Sequence, residues 1–331
     1  MKTNQSNIKK AKKYLNKNCC IGVPTETVYG LAANAYADIA VKKIFSLKKR
    51  PKNNPLIVHY FDIDTLKEDC LINDNFIKLY KKFSPGPLTY ILKLKKESKI
   101  SKYVTNNGKN LAVRFPKHFL FRNLLKQLDY PLAAPSANIS TKVSAVQMKD
   151  VKEEFGNKIK YILDGGKCAI GLESTIINLT GKPSVLRLGG LDFVKIEKIL
   201  GIKLKKKTNP KKIISPGQST LHYSPGIPLK INIKKPKSDA AFLLIKKRKI
   251  TLNNYYYLSK KNNLNEAAKN LYSYLRKIKN KGYKSIAVEK IPNKGLGKTI
   301  NDRLKRASRY WLYHTYKIIL YSKILITNSD L

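Results

Sequence analysis

Apolar residues at Ile8, Ala11, Tyr14 and Leu15 recur at helical spacing among lysines and predict an amphipathic first helix with a basic outer face. Residues 19–23 then form a short apolar run that stops at Pro24, the pattern of a buried strand. Residues 39–47 return to helical spacing, with Asp38 placed as an N-cap. Residues 55–60, 89–94 and 111–115 read as strands, 119–128 as a helix, and 132–135, 161–163, 174–179 and 184–188 as further strands before a helix at 193–200. Strands interleaved with helices predict an α/β layer structure with a mixed sheet.

The pattern then breaks. Residues 203–212 are basic and polar, and Ser215-Pro-Gly-Gln-Ser-Thr-Leu-His-Tyr-Ser-Pro-Gly226 is punctuated at both ends by proline and glycine, which predicts an ordered linker. From residue 229 the alternation restarts, with strands at 229–233, 240–245, 255–258 and 285–289 and helices at 265–279 and from 299 to about 311. The expected organisation is a first domain over 1–202, a linker over 203–228 and a smaller α/β domain over 229–331. A chain of 331 residues is long enough for two cores. No apolar run approaches the roughly 18 residues needed to cross a bilayer. The polar, lysine-rich residues 1–18 do not read as a secretory signal, so a cytoplasmic protein is expected.

Charge changes this picture less than its size suggests. A formal net charge of +46 invites a nucleic-acid partner, since lysines release counterions from phosphate backbones. Yet of 67 basic residues only nine are arginine, and the lysines are spread along nearly every segment beside abundant Asn and Ile, as A/T-rich coding would produce. A nucleic-acid footprint should be clustered. The four cysteines, Cys19, Cys20, Cys70 and Cys168, show no C-x-x-C spacing, which argues for reduced packing thiols over a zinc site.

Several polar groups stand where apolar ones would be expected. Lys48-Lys-Arg50 ends a helix before Pro51, either as cations against a helix C-terminus or as a loop for an anionic ligand. His59 lies on the following strand, as a packed histidine or a ligand contact. Arg114 projects from the apolar Leu111-Ala-Val run, and a buried guanidinium needs an anion, either a substrate or an internal Asp or Glu. Ala133-Ala-Pro-Ser-Ala-Asn-Ile-Ser140 and Gly171-Leu-Glu-Ser-Thr-Ile176 are small, hydroxyl-bearing turns that let a ligand approach the backbone. No Walker or dinucleotide glycine motif occurs. Cations, hydroxyls and amides suit positioning and charge stabilisation in nucleotidyl transfer better than covalent catalysis.

Taken in order, Pro24-Thr-Glu-Thr-Val-Tyr-Gly-Leu31, the Lys48-x-Arg50-Pro51 cluster with Pro55-Leu-Ile-Val-His59, Ala112-Val-Arg114-x-Pro116, Ala134-Pro-Ser-Ala-Asn-x-Ser140, Gly171-Leu-Glu-Ser-Thr-Ile176 and Ser215-Pro-Gly-Gln218 with His222-Tyr223 resemble the YrdC-like family in its two-domain form. The resemblance covers residues 5 to about 310 and implies a YrdC-like twisted mixed sheet with flanking helices, plus a smaller Rossmann-like domain. It implies synthesis of L-threonylcarbamoyladenylate from L-threonine, bicarbonate or CO2, and ATP, with pyrophosphate released and Mg2+ helping at the phosphates rather than held by protein side chains. The product would serve N6-threonylcarbamoylation of adenosine 37 in tRNAs reading ANN codons, with downstream transferase proteins and tRNA as partners and no membrane. By motif position, threonine contacts fall on Thr27, His59, Arg114, Ala134 and Ser174. ATP contacts fall on Lys48, Arg50, Asn54, Asn110, Ser136, Asn138, Ser144, Arg187 and Tyr223, the last making the linker a lid. The chain departs from the family pattern at Asn110, Thr141, Val143-Ser144-Ala145 and Leu188. The alternative is a non-catalytic RNA-binding module on the same fold. A hydrogenase-maturation carbamoyl transferase would need acylphosphatase and zinc-finger segments, which the four scattered cysteines do not supply.

Overall fold

A computed structural model describes residues 2–208 and 222–309. The chain divides into two compact units, one formed by residues 1–140 and 144–219 and the other by 141–143 and 220–331. The expectations for residues 209–221 and for the tail after Trp311 lie outside the described residues.

The first unit is built on a nine-stranded sheet: β1 (Ile21–Val23), β2 (Gly30–Asn34), β3 (Ile57–His59), β4 (Leu88–Lys93), β5 (Asn110–Arg114), β6 (Leu132–Ala133), β7 (Thr175–Asn178), β8 (Ser184–Arg187) and β9 (Lys205–Lys206). Their spatial order is β1-β2-β6-β3-β5-β4-β7-β8-β9, with parallel and antiparallel neighbours mixed. Its helices are α1 (Lys2–Asn16), α2 (Asp38–Lys48), α3 (Ile63–Asp69), α4 (Asp74–Phe83), α5 (Lys102–Thr105), α6 (Phe119–Lys126), α7 (Met148–Phe155) and α8 (Phe193–Leu200). Ile8, Ala11 and Leu15 of α1 pack with Phe121, Leu124 and Leu125 of α6 over Ile21, Val23, Ala32, Leu132 and Ala134, which covers one part of a sheet face. Farther along the sheet, Ile57, Ala112, Ile91, Ile176 and Leu186 form a second apolar patch. Residues 161–163, expected as a strand, make only the bridge Gly22↔Ile162. Asp38 does not cap α2: Ala37 holds that position, and the Asp38 carboxylate instead accepts from Ser101 Oγ at 2.6 Å.

The second unit carries a four-stranded, wholly parallel sheet of β10 (Leu229–Lys230), β11 (Ala240–Leu244), β12 (Tyr255–Tyr257) and β13 (Ser285–Val288), in the order β10-β13-β11-β12. Between β12 and β13 runs α9 (Leu264–Asn280), capped by the Asn263 side chain and burying Ala267, Ala268, Leu271, Tyr272, Leu275 and Ile278 along one stripe. A final helix, α10, is described over 297–309. Residues 141–143 pair with this unit: Ser224 N donates to Thr141 O at 2.8 Å and Arg276 Nη2 to Val143 O at 2.6 Å.

Candidate active site

The site is organised by the turn between β1 and β2. Thr25 Oγ1 donates to Val28 O at 2.7 Å and accepts from Thr27 N at 3.0 Å, closing a tight side-chain turn that also brings the Thr25 and Thr27 hydroxyls to 2.8 Å. This turn is tied to three other loops through backbone bonds: Ala137 N to Tyr29 O, Tyr29 N to Ala145 O, and Gly171 N to Thr27 O, at 2.7 to 3.0 Å. The Ala-Pro-Ser-Ala-Asn segment, the start of residues 144–146 and the Gly-Leu-Glu-Ser-Thr turn therefore converge on it.

A row of polar side chains crosses the sheet beside this hub. His59 on β3 is in register with Arg114 on β5, and Arg114 with Thr89 on β4, so the three share one face with Ile57, Ala112 and Ile91. Thr89 Oγ1 meets Ser174 Oγ at 2.7 Å. Arg187 on β8 reaches the same serine, Nε to its carbonyl and Nη2 to its hydroxyl, both at 3.0 Å. Gly189 allows this approach, because a Cβ there would stand 2.3 Å from the Ser174 carbonyl carbon and the Thr175 nitrogen.

Arg114 has an internal anion. Its Nη2 donates to Glu26 Oε1 at 2.7 Å with both side chains buried, its Nε donates to Gly86 O at 3.3 Å, and Lys117 N donates to Glu26 Oε2 at 3.0 Å. Between a substrate anion and an internal acid, the structure shows the acid. His59 is buried against Phe121, ring centroids 5.4 Å apart. Burial first, then the charge of Arg114, hold its pKa well below the ordinary 6.5, against the pull of the Leu132 and Ile57 carbonyls.

The phosphate-type residues form a second group. Lys48, only 1% exposed at the end of α2, donates to Ser136 O and Asn138 O, each at 2.5 Å. As placed, it shapes the small-residue loop. Burial, then Arg50, lower its pKa, with Glu154 opposing. Lys49 takes a left-handed conformation after the helix, which turns Arg50 back onto the following loop. There Arg50 Nε and Nη2 donate to Asn54 O and Asn54 Oδ1 at 3.0 and 2.6 Å. Ala134, whose N–H is bound to Ile57 O at 2.9 Å, joins this loop to β3. Ser144 Oγ donates to the buried Glu173 carboxylate at 2.6 Å.

Two expected residues are not brought to this cluster within the first unit. Asn110 is exposed at the opposite end of β5 from Arg114, roughly 13 Å away at about 3.3 Å per residue. It lines a groove of about 860 Å³ with Lys93, Lys95, Lys96 and Lys109. Tyr223 belongs to the second unit, where it stacks on Tyr272 at 5.9 Å and lies under the Arg303 guanidinium at 4.7 Å, with φ at 65°. Glu26, Thr89 and Glu173 were not anticipated. The signal for the two glutamates was available: acids are scarce in this chain, and both stand inside apolar, turn-forming motifs.

Residues 13–189 match the family model Sua5_yciO_yrdC, described as "Telomere recombination", and residues 192–309 match Sua5_C, described as "Threonylcarbamoyl-AMP synthase, C-terminal domain". The chain belongs to the Sua5–YciO–YrdC family. Within that family it is 36% identical to a Pyrococcus abyssi protein named threonylcarbamoyl-AMP synthase, covering 90% of this chain and 92% of that one. A Bacillus subtilis protein of the same name is 35% identical, covering 93% and 94%. Among solved structures, the crystal structure of P. abyssi Sua5 complexed with L-threonine superposes with a TM-score of 0.83 at 33% identity, over 92% of this chain and 94% of that one. The fold alone is shared with Escherichia coli YciO, at a TM-score of 0.51 and 23% identity over 56% of this chain and 90% of that one. The Sua5–YciO–YrdC architecture expected from the motifs, a large twisted mixed sheet with a second α/β domain, is the one observed.

Proposed function

We propose that this chain is a nucleotidyltransferase that forms L-threonylcarbamoyladenylate from L-threonine, bicarbonate or CO2, and ATP, with release of pyrophosphate. One observation carries the reading: the turn holding Thr25 and Thr27 is tied to buried Arg114 through Glu26 and by backbone bonds to the Ala-Pro-Ser-Ala-Asn loop that Lys48 grips, with buried His59 in register beside Arg114 and the Ser174 hydroxyl on Thr89. Arg114 suits an amino-acid carboxylate, and Glu26 already balances its charge. The threonine amine is carboxylated to a carbamate, whose oxygen then attacks the α-phosphate of ATP.

Carbamates and mixed anhydrides are short-lived in water, so a buried polar floor serves the chemistry. Arg50, Asn54, Ser136 and Asn138 are assigned to the phosphates, with Arg187 and Ser144 as further ATP contacts. Thr27, His59, Arg114, Ala134 and Ser174 are assigned to threonine. Among the described residues no three His, Cys, Asp or Glu side chains come together as a metal site. Mg2+ bound with ATP would supply charge neutralisation at the phosphates beside Arg50 and Ser136. The names of the relatives and the threonine complex of the P. abyssi protein support the substrate choice. No helix among the described residues is long and apolar enough to cross a membrane. The product is then passed to transferase proteins acting on adenosine 37 of tRNAs that read ANN codons.

The test is pyrophosphate release by the full chain with ATP, L-threonine and bicarbonate supplied together and with each left out. Release that requires all three is expected. A folded protein that releases none, or releases it without threonine, overturns the reading.

A further inference from the structure

The hydroxyl of Ser174 has little freedom in how it hydrogen-bonds. Its Oγ lies 2.7 Å from Thr89 Oγ1 and accepts from Arg187 Nη2 at 3.0 Å, while Arg187 Nε holds its carbonyl. A guanidinium can only donate, so one lone pair of the serine oxygen is committed to Arg187. Thr89 and Ser174 are 0% and 1% exposed, and neither hydroxyl has a further partner among the described residues.

Two hydroxyls that share one hydrogen bond have two protons between them, so one proton is left over. If Ser174 donates, the spare proton stays on Thr89, which is fully enclosed and has no other acceptor. Ser174 would then keep one lone pair for a donor such as an ammonium, but that ammonium would sit against Arg187, a charge of the same sign. If Thr89 donates, both lone pairs of Ser174 are filled and the spare proton is the serine's own. A ligand oxygen satisfies that proton, and a carboxylate meets Arg187 with opposite charge. An unmatched buried donor costs free energy, so an anionic ligand selects the second arrangement.

Resting on the reading that Ser174 touches the amino acid, we infer that Thr89 is a positioning residue that fixes Ser174 as a hydrogen-bond donor to the amino acid's carboxylate. Thr89 itself does not meet the ligand. Sheet register sets its place: it lies opposite Arg114 on β5 and opposite Ile176 on β7, two residues beyond Ser174. Arg114 has Nε on Gly86 O and Nη2 on Glu26, which leaves Nη1 without a partner among the described residues. Arg114 Nη1 and the Ser174 proton are thus two donors for the two oxygens of one carboxylate.

Calorimetric titration of L-threonine into the full chain tests this. Thr89→Val keeps the shape and removes the donor, and should weaken threonine binding by roughly tenfold or more while ATP affinity holds. Thr89→Ser restores the donor and should bring threonine affinity back to within about threefold of the unaltered protein. In a Ser174→Ala background, adding Thr89→Val should change threonine affinity by less than about twofold, because Thr89 acts only through the serine. Additive losses, equal losses of ATP and threonine binding, or a Thr89→Val variant that binds threonine normally would overturn the inference. A threonine complex of the unaltered protein decides even if Thr89→Val does not fold: Ser174 Oγ on a carboxylate oxygen is expected, and Ser174 Oγ on the amine would overturn it. A folded, unaltered protein that binds no threonine would instead sink the reading that places Ser174 at the amino acid.

Discussion

Glu26 and Arg114 show what a single pair of residues settles. A guanidinium on an interior strand demands an anion, and the nearest one comes from a glutamate one residue before Thr27, in the tightest turn of the site. Removing one member of a buried pair leaves the other charged and unmatched, at about 3–5 kcal/mol. Glu26→Ala should therefore lower unfolding free energy by about that amount in urea titrations, and a change near zero would show that Arg114 is solvated. Arg50→Ala carries a second expectation. Its guanidinium holds the Asn54 backbone and side chain and the Pro55 carbonyl. The variant should lose ATP binding in calorimetry while its melting transition stays cooperative; unchanged ATP affinity would remove Arg50 from the site. His59 adds a pH term to stability. Its folded pKa is depressed below 6.5, so on acidification the unfolded chain takes up the proton first, and stability falls as pH drops through and below about 6.5. Denaturation midpoints followed from pH 7.5 to 5 in the protein and in His59→Gln should diverge over that window. Parallel curves would mean that the ring titrates normally.

At the scale of elements, the site depends on close backbone passages as much as on side chains. Gly189 lies against the Ser174–Thr175 peptide so closely that no Cβ fits. Gly189→Ala should push the Ser174 segment away from Thr89 and Arg187, raising the threonine KM at least tenfold with a smaller effect on ATP. Unaltered threonine kinetics would show that Ser174 is not a substrate contact. Much of the scaffold was readable because its strands are short apolar runs that stop at proline or glycine, as β1 does at Pro24. β2 escaped because Gly-Leu-Ala-Ala-Asn has no β-branched or aromatic residue, although every position but the last is buried. α3 and α7 are seven and eight residues long and bury one and two apolar side chains, too few for a period to show. α4 is different: Asn73 caps it, and Phe76, Leu79 and Phe83 keep helical spacing, a signal present in the sequence. The site residues were legible as motif positions, but their partners were not. Nothing in local spacing says that Lys48 meets carbonyls 88 and 90 residues away, or that Glu26 meets Arg114. Those pairings are set by sheet order.

For the whole molecule, two units with separate sheets carry a charge of +46. Because the lysines are spread and not clustered, any RNA affinity rests on counterion release alone and should fall by orders of magnitude between about 50 and 200 mM salt. Pyrophosphate release, which depends on buried groups, should change little over the same range. A parallel loss of both would place exposed lysines in the chemistry. The central claim is that threonine and ATP share one hollow on the sheet face that carries His59 and Arg114. A crystal structure with L-threonine and a non-hydrolysable ATP analogue tests it most directly. The account predicts the amino-acid carboxylate against Arg114 and phosphates against Arg50 and Ser136; ligands bound on separate surfaces, or threonine away from Arg114, would contradict it.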